Sequence, residues 1–263
     1  MRNLLGVKIN LISDVHAEIS ALRKAGENCD FLICLGDLLL YTDYEDPGNG
    51  IMGKLFGAKF NEEFIRLRTA NLFTEARAMA MAKWEELGNR EELINREVKA
   101  QYDEIFDAMP TPVYLTYGNV DRPEFWNQYK KDGMKVLDGQ VIEINGIKFG
   151  FVGGGLKTPY RTPYEITDEE FQKNVDALGP VDVLCSHIPP AISDITYDVV
   201  ARRFERGSKA LLNYIKKYQP KFSFFGHVHQ PLMSRTRVGH TECVNVGHFL
   251  SPFGKINIFL TRP

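Results

Sequence analysis

Val7-Lys8-Ile9-Asn10-Leu11-Ile12-Ser13-Asp14-Val15-His16, residues 7–16, runs from alternating apolar positions straight into a polar end that carries a carboxylate and an imidazole one residue apart. Such a run reads as a β-strand and its polar end as a loop. The pattern recurs along the chain. Phe31 to Leu35 runs into Gly36-Asp37, and Val113 to Tyr117 runs into Gly118-Asn119. In the second half, Ile147 to Val152 ends at Gly153-Gly154-Gly155, Val181 to Cys185 at Ser186-His187, and Phe222 to Phe225 at Gly226-His227-Val228-His229. Cys243 to Val246 and Ile256 to Leu260 complete the strand-like runs.

Helical patterns lie between them. Residues 17–26 read as a short helix with Ala17, Ala21, Leu22 and Ala25 on one stripe and Gly26 as its stop. Residues 61–109 read as an αα-hairpin, with Asn61 as N-cap, Gly88 as stop, Asn89 and Glu92 as a capping box, and Ile94, Val98, Tyr102, Ile105, Phe106 and Met109 near helical spacing. Ser208 is expected to cap a further helix that ends before Pro220. Tyr41 to Gly57, rich in glycine and acidic residues, reads as a long loop. Strands alternating with helices predict an α/β sandwich. With no Pro/Ser-rich linker in sight, the expectation is a single domain over 1–263 with 41–110, loop plus helical hairpin, inserted in it.

Composition sets bounds on partners. At 263 residues, 44% hydrophobic and 25% charged, the chain has ample material for a core. The 32 Lys+Arg against 34 Asp+Glu leave a formal charge of -2, which argues against affinity drawn from a long nucleic-acid backbone, local pairs such as Arg202-Arg203 and Lys216-Lys217 notwithstanding. Cys29, Cys34, Cys185 and Cys243 form no CxxC pair. With no signal-like N-terminus and no membrane-spanning apolar stretch, they point to a soluble, cytoplasmic protein that meets no membrane.

The polar strand ends carry the chemistry. In extended geometry, residues one apart point the same way, so Asp14 with His16 and His227 with His229 form two pairs. With Asp37, Asn119 and His187 they place seven oxygen and nitrogen donors on the rim where α/β sheets bind ligands. Carboxylate, imidazole and one amide suit Mn, Fe or Zn. Seven donors exceed the needs of one tetrahedral ion and fit two divalent ions sharing a carboxylate. Taken alone, an Asp-x-His or a Gly-Asn is ordinarily a turn, and a lone His187 a core histidine. Five strand ends supplying such residues together carry the reading.

Asp14-Val15-His16, Gly36-Asp37, Gly118-Asn119-Val120-Asp121, Ser186-His187 and Gly226-His227-Val228-His229 together resemble the signature of the calcineurin-like metallophosphoesterase superfamily, over essentially the whole chain. The resemblance implies a four-layer α/β/β/α sandwich. It implies that Asp14, His16, Asp37 and His229 hold one metal and Asp37, Asn119, His187 and His227 the other, with Asp37 bridging. It implies hydrolysis of a phosphoester by a metal-bridging hydroxide, to which Asp37, Asn119 and His187 contribute as catalytic residues.

The chain departs from many members at Val120, where they carry a histidine facing the leaving group. Small bacterial and archaeal phosphodiesterases that resemble it also lack that histidine and share the aspartate that follows, here Asp121. The expected substrate is therefore a small phosphodiester, with a phosphomonoester as the alternative and Asp121 as a further catalytic candidate. Tyr160, Arg161 and His248 are candidate substrate contacts, whereas His240 reads as a bystander. A fold-retaining interaction scaffold is a competing reading, but such scaffolds usually lose ligand positions and here all seven are filled. The helical insertion would shape substrate choice or form a homo-oligomer contact.

Overall fold

In β1 (Val7–Ile12) only Lys8 faces solvent, the mark of a strand covered on both faces. The computed structural model describes residues 6–249 and 255–260. The further strands are β2 (Phe31–Cys34), β3 (Val113–Leu115), β4 (Met134–Val136), β5 (Gln140–Ile144), β6 (Ile147–Val152), β7 (Gly155–Leu156), β8 (Glu165–Ile166), β9 (Val183–Ser186), β10 (Tyr197–Asp198), β11 (Arg203–Phe204), β12 (Phe222–Phe225), β13 (Arg235–Val238), β14 (Thr241–Asn245) and β15 (Ile256–Leu260). One five-stranded sheet has the order β15-β1-β2-β3-β4 and a six-stranded one the order β13-β14-β12-β9-β6-β5. Strands β1 to β4 run parallel in the first sheet, as do β14, β12, β9 and β6 in the second. Antiparallel strands close three of the four edges: β15 in the first sheet, β13 and β5 in the second.

Three apolar clusters order the layers. Ile9, Leu11, Phe31 and Ile33 of the first sheet meet Phe149, Phe151, Val183, Phe224 and Val244 of the second in a central core. The other face of the first sheet packs Ile12, Leu32, Cys34, Val113 and Leu115 against helical residues. The outer face of the second packs Val152, Leu184, Phe225 and Cys243 against α7 (Asp168–Asp176) and α9 (Lys209–Tyr218). The order is thus helices, sheet, sheet, helices.

The runs expected to be strands form strands, with ends moved by one or two residues. The main omissions are β4, β5 and β13, edge strands whose partly exposed, polar sequences give a weak pattern. The helices differ more. Residues 17–26 hold only one turn of helix, α1 (Ile19–Leu22): Ala17, at φ 59°, stays outside it, and the chain passes into turns after Leu22. The expected loop from Tyr41 to Gly57 contains α2 (Gly50–Phe56), which buries Ile51 in the first cluster. Asn61 does not cap a helix. It lies inside α3 (Ala58–Thr69), buried, with Nδ2 donating to the Pro47 carbonyl at 2.9 Å.

Gly88 does end α4 (Phe73–Leu87), but Asn89 bonds the Glu92 side chain rather than a backbone amide of α5 (Arg90–Ala108). Thr167 and Glu170 at the head of α7 form the reciprocal capping box instead. Ser208 caps α9 as expected, accepting from Leu211 N at 3.2 Å. The remaining short helices are α6 (Pro123–Trp126) and α8 (Ser193–Thr196).

The stretch expected to be an inserted hairpin divides into two parts. Helix α5 is a core element: Val98, Tyr102, Ile105 and Phe106 are buried against the first sheet. Helix α4 buries only Ala76 and Trp84 and lies outside that cluster. The apolar spacing in α5 was legible, but the sheet it packs against was not. No helix among the described residues is long and apolar enough to cross a membrane.

This division has a measurable consequence. Ile105→Ala in α5 is expected to cost about 2–5 kcal/mol in urea unfolding, as for a large-to-small core change. Met81→Ala in α4, where Met81 is 49% exposed, is expected to stay within about 0.5 kcal/mol. Equal costs would contradict the division.

Candidate metal centre

The parallel strands of both sheets deliver their carboxyl ends to one place. β1 leads into Asp14 and His16, β2 into Asp37, β3 into Asn119, β9 into His187, β12 into His227 and His229, and β14 into His248. The turns are tight. Asp14, His16, Asp37 and His227 adopt φ of 56°, 45°, 53° and 70°, in the sparsely populated left-handed region. The i, i+2 pairs therefore converge through left-handed turns and not through extended geometry. The motif glycines permit the approach: a Cβ on Gly118 would collide with Asp37, and one on Gly226 with Ser13 and Asp14.

The donors fall into two groups that share Asp37. Asp37, His187 and His227 can place ligand atoms within 4.8 Å of one another, and so can Asp14, His16 and Asp37. In the first group His187 Nδ1 lies 2.9 Å from the Leu35 carbonyl, which only accepts, so that nitrogen carries the hydrogen. His187 Nε2 then turns a lone pair on Asn119 Oδ1 at 2.9 Å and Asp37 Oδ1 at 3.4 Å. The amide orientation of Asn119 is set from behind, where Nδ2 donates to Thr162 Oγ at 3.1 Å and that hydroxyl donates to Glu165. His227 Nδ1 lies 2.8 Å from the same Asn119 oxygen.

In the second group His16 Nδ1 faces the Leu39 carbonyl at 3.0 Å, which leaves Nε2 facing His229 Nε2 at 3.2 Å. His229 Nε2 is 3.5 Å from Asp14 Oδ1, while Asp14 accepts the His227 amide at 2.9 Å. Buried acceptors turned on one another need positive charge among them. This donor set fits divalent metal ions.

The charges within the site point the same way. Burial pushes the His187 pKa down, but the Asp37 carboxylate outweighs it and holds the group at about 9. Burial likewise opposes protonation of His229, yet its contact with Asp14 raises it. Burial raises the Asp14 pKa, but His229 brings it well below the usual carboxylate range. His16 is lowered by burial and by His229, and His227 by burial and by His187. The proton that His187 keeps thus sits where a cation belongs.

Asp121 stands behind the site and does not face it. Its carboxylate accepts from Asp37 N at 2.9 Å, Gly118 N at 2.7 Å and Leu38 N at 3.0 Å, and it is fully buried. Asp121 thereby ties the Asp37 loop to the Asn119 loop. Helix α5 adds support that the sequence did not signal. Gln101 pairs with both the amide and the carbonyl of Leu40 at 3.0 Å, and Tyr102 Oη accepts from Arg122 N at 2.8 Å. Thr162 and Glu165 were equally unanticipated, because their role exists only once the loop after β7 folds against Asn119.

The other candidates separate. Tyr160 is held between protein groups, with the guanidinium carbons of Arg68 and Arg203 at 4.6 and 5.0 Å from its ring centre and Phe73 at 5.0 Å. Arg161 is exposed. Val120 packs against the first apolar cluster. His248 joins the site, its ring centre 4.6 Å from that of His229 and 5.6 Å from that of His16. His240 sits in the exposed turn at the far end of β14.

Asp121→Asn presents an NH2 group to backbone donors that need acceptors. It is expected to cost about 2–4 kcal/mol in urea unfolding and about 10- to 100-fold in zinc affinity. A rise in KM with zinc affinity unchanged would instead place Asp121 in contact with substrate.

Comparison with known proteins bears on this geometry. Residues 7–231 match the family model described as calcineurin-like phosphoesterase. The chain is 30% identical over 156 residues to an uncharacterized protein of Methanocaldococcus jannaschii, an alignment covering 57% of this chain and 69% of that one. The crystal structure of TT1561 of Thermus thermophilus superposes with a TM-score of 0.51 at 13% identity, covering 92% of this chain and 89% of that one, a likeness of fold alone. With the family model spanning all seven donors from Asp14 to His229, the chain belongs to the calcineurin-like phosphoesterase family.

Proposed function

We propose that the protein is a dinuclear metal-dependent phosphoesterase acting on a small phosphodiester. The observation that carries this reading is the sharing of Asp37 between two donor groups. Asp14, His16 and His229 would hold one ion beside Asp37, and Asn119, His187 and His227 the other. Divalent ions held there supply charge neutralisation at the phosphoryl oxygens and lower the pKa of water, so that a nucleophile forms near neutral pH.

The chain's own residues set the frame for that chemistry. Leu35 and Leu39 carbonyls fix the tautomers of His187 and His16, so that each presents Nε2 inward. Thr162 and Glu165 keep the Asn119 oxygen turned toward the site. Val120 N donates to Asp37 Oδ1 at 2.9 Å, which holds the shared carboxylate in place. The side chain of Val120 neither gives a proton nor stabilises charge. A phosphomonoester dianion with a poor leaving group depends more on such a donor, and this supports the diester reading. The formal charge of -2 supports a small substrate over a long polyanion.

The decisive measurement is hydrolysis of a glycerophosphodiester and of glycerol phosphate, both with poor alkoxide leaving groups, by protein loaded with manganese or with zinc. The expected outcome is a kcat/KM at least about tenfold higher for the diester, and a loss of at least about 100-fold in Asp37→Asn. Faster turnover of the monoester with each metal would remove the diester reading. Activity retained in Asp37→Asn would remove the dinuclear one.

Protonation gives a second check. With its pKa held at about 9, His187 is protonated in the metal-free protein at pH 7. Metal must displace that proton, so zinc affinity is expected to fall by about tenfold for each pH unit below that value from this group alone. Calorimetric titrations in two buffers of different ionisation enthalpy should count at least about one proton released at pH 7. No release would contradict ligation by His187.

A further inference from the structure

The family signature accounts for the histidines at 16, 187, 227 and 229 and leaves His248 unexplained. Yet His248 follows β14 at the same rim as the other donors, and its backbone is tied to them on both sides. On one side, the Gly247 amide donates to Asn245 Oδ1 at 2.6 Å, and Asn245 Nδ2 donates to the Val228 carbonyl at 3.0 Å, between His227 and His229. On the other, the Phe249 amide reaches the Asp14 carbonyl at 3.4 Å. Gly247 makes the turn at φ 76°. The ligand nitrogens of His16, His229 and His248 lie within 4.8 Å of one another.

We propose that His248 is a metal ligand, joining His16 and His229 as a third imidazole on the Asp14 half of the site. This rests on the reading of that site as metal-holding. Nitrogens that share an ion with metal–nitrogen bonds of about 2.1 Å are about 3 to 4 Å apart. His16 and His229, at 3.2 Å between Nε2 atoms, already meet that spacing, and a side-chain adjustment of about 1 Å brings His248 to it. The tilt of 31° between the His248 and His16 rings and of 52° between His248 and His229 lets the three rings turn edges toward one point.

The consequence is an asymmetric pair of sites. The Asp14 half offers three imidazoles with two carboxylates, whereas the other half offers two imidazoles, one amide and the shared carboxylate. More imidazole favours zinc over manganese, so the Asp14 half becomes the zinc-preferring one.

The experiment titrates metal-free wild type, His248→Ala and His240→Ala with zinc against a competing chelator, then repeats the titration with manganese. Wild type and His240→Ala are expected to bind two zinc ions. His248→Ala should keep one unchanged and lose at least about tenfold in affinity at the other, with a smaller loss for manganese. Cobalt substitution adds a spectroscopic readout, a changed visible absorption band in His248→Ala alone.

Circular dichroism of the metal-free proteins checks folding, and His248→Gln replaces the alanine variant if that one unfolds. Two zinc ions bound by His248→Ala with wild-type affinity would overturn the proposal while leaving the two-metal reading intact, including when KM rises. Failure of wild type to bind zinc would overturn both.

Discussion

His187 Nε2, Asn119 Oδ1 and Asp37 Oδ1 are acceptors facing one another at 2.9 and 3.4 Å in a buried crevice. Such an arrangement is unfavourable unless positive charge sits within it, because burial strips away the water that would otherwise separate the lone pairs. Much of the surrounding structure serves to enforce it. Leu35 O prevents His187 from turning its hydrogen inward, and Thr162 prevents the Asn119 amide from flipping. In the metal-free protein a proton on His187 relieves the conflict, which is why burial fails to lower the pKa of that histidine.

Holding opposed acceptors in place demands rigid loops, and the fold supplies them from behind. Asp121 gathers the amides of Asp37, Leu38 and Gly118 onto one buried carboxylate, so the loops after β2 and β3 move as a unit. Helix α5 clamps the next turn through Gln101 and Tyr102. The left-handed backbone at Asp14, His16, Asp37 and His227 is tolerated because these contacts over-determine it. A core helix that looks like part of an insertion along the chain is thus part of the scaffold of the centre. The helices α3 and α4 contribute no side chain to the apolar cluster that α5 shares with the first sheet.

The sequence was most legible where local chemistry and strand periodicity coincide. Each of the seven donors sits at the end of an apolar run, so both the strands and the donor residues could be named, and the family signature ordered them. The helical stretch from 41 to 110 was less legible. α2 is two turns within a glycine-rich segment, and the first turn of α3 precedes Asn61, whose side chain is engaged by Pro47. The edge strands β5 and β13 escaped for the opposite reason: half-exposed strands dilute the apolar signal that marks buried ones.

The sequence by itself determined which carboxylate, imidazole and amide side chains lie at the carboxyl ends of strands, because residue type and period-two patterning are local properties. Only the tertiary structure decided that Asp121 faces backbone amides, that Thr162 rather than Tyr160 or Arg161 reaches Asn119, and that His248 lies against His16 and His229. These depend on how two sheets face each other across a shared core and bring together residues as far apart as Asp14 and His227. No local pattern encodes that meeting, since it is set by the packing of strands distant in the chain.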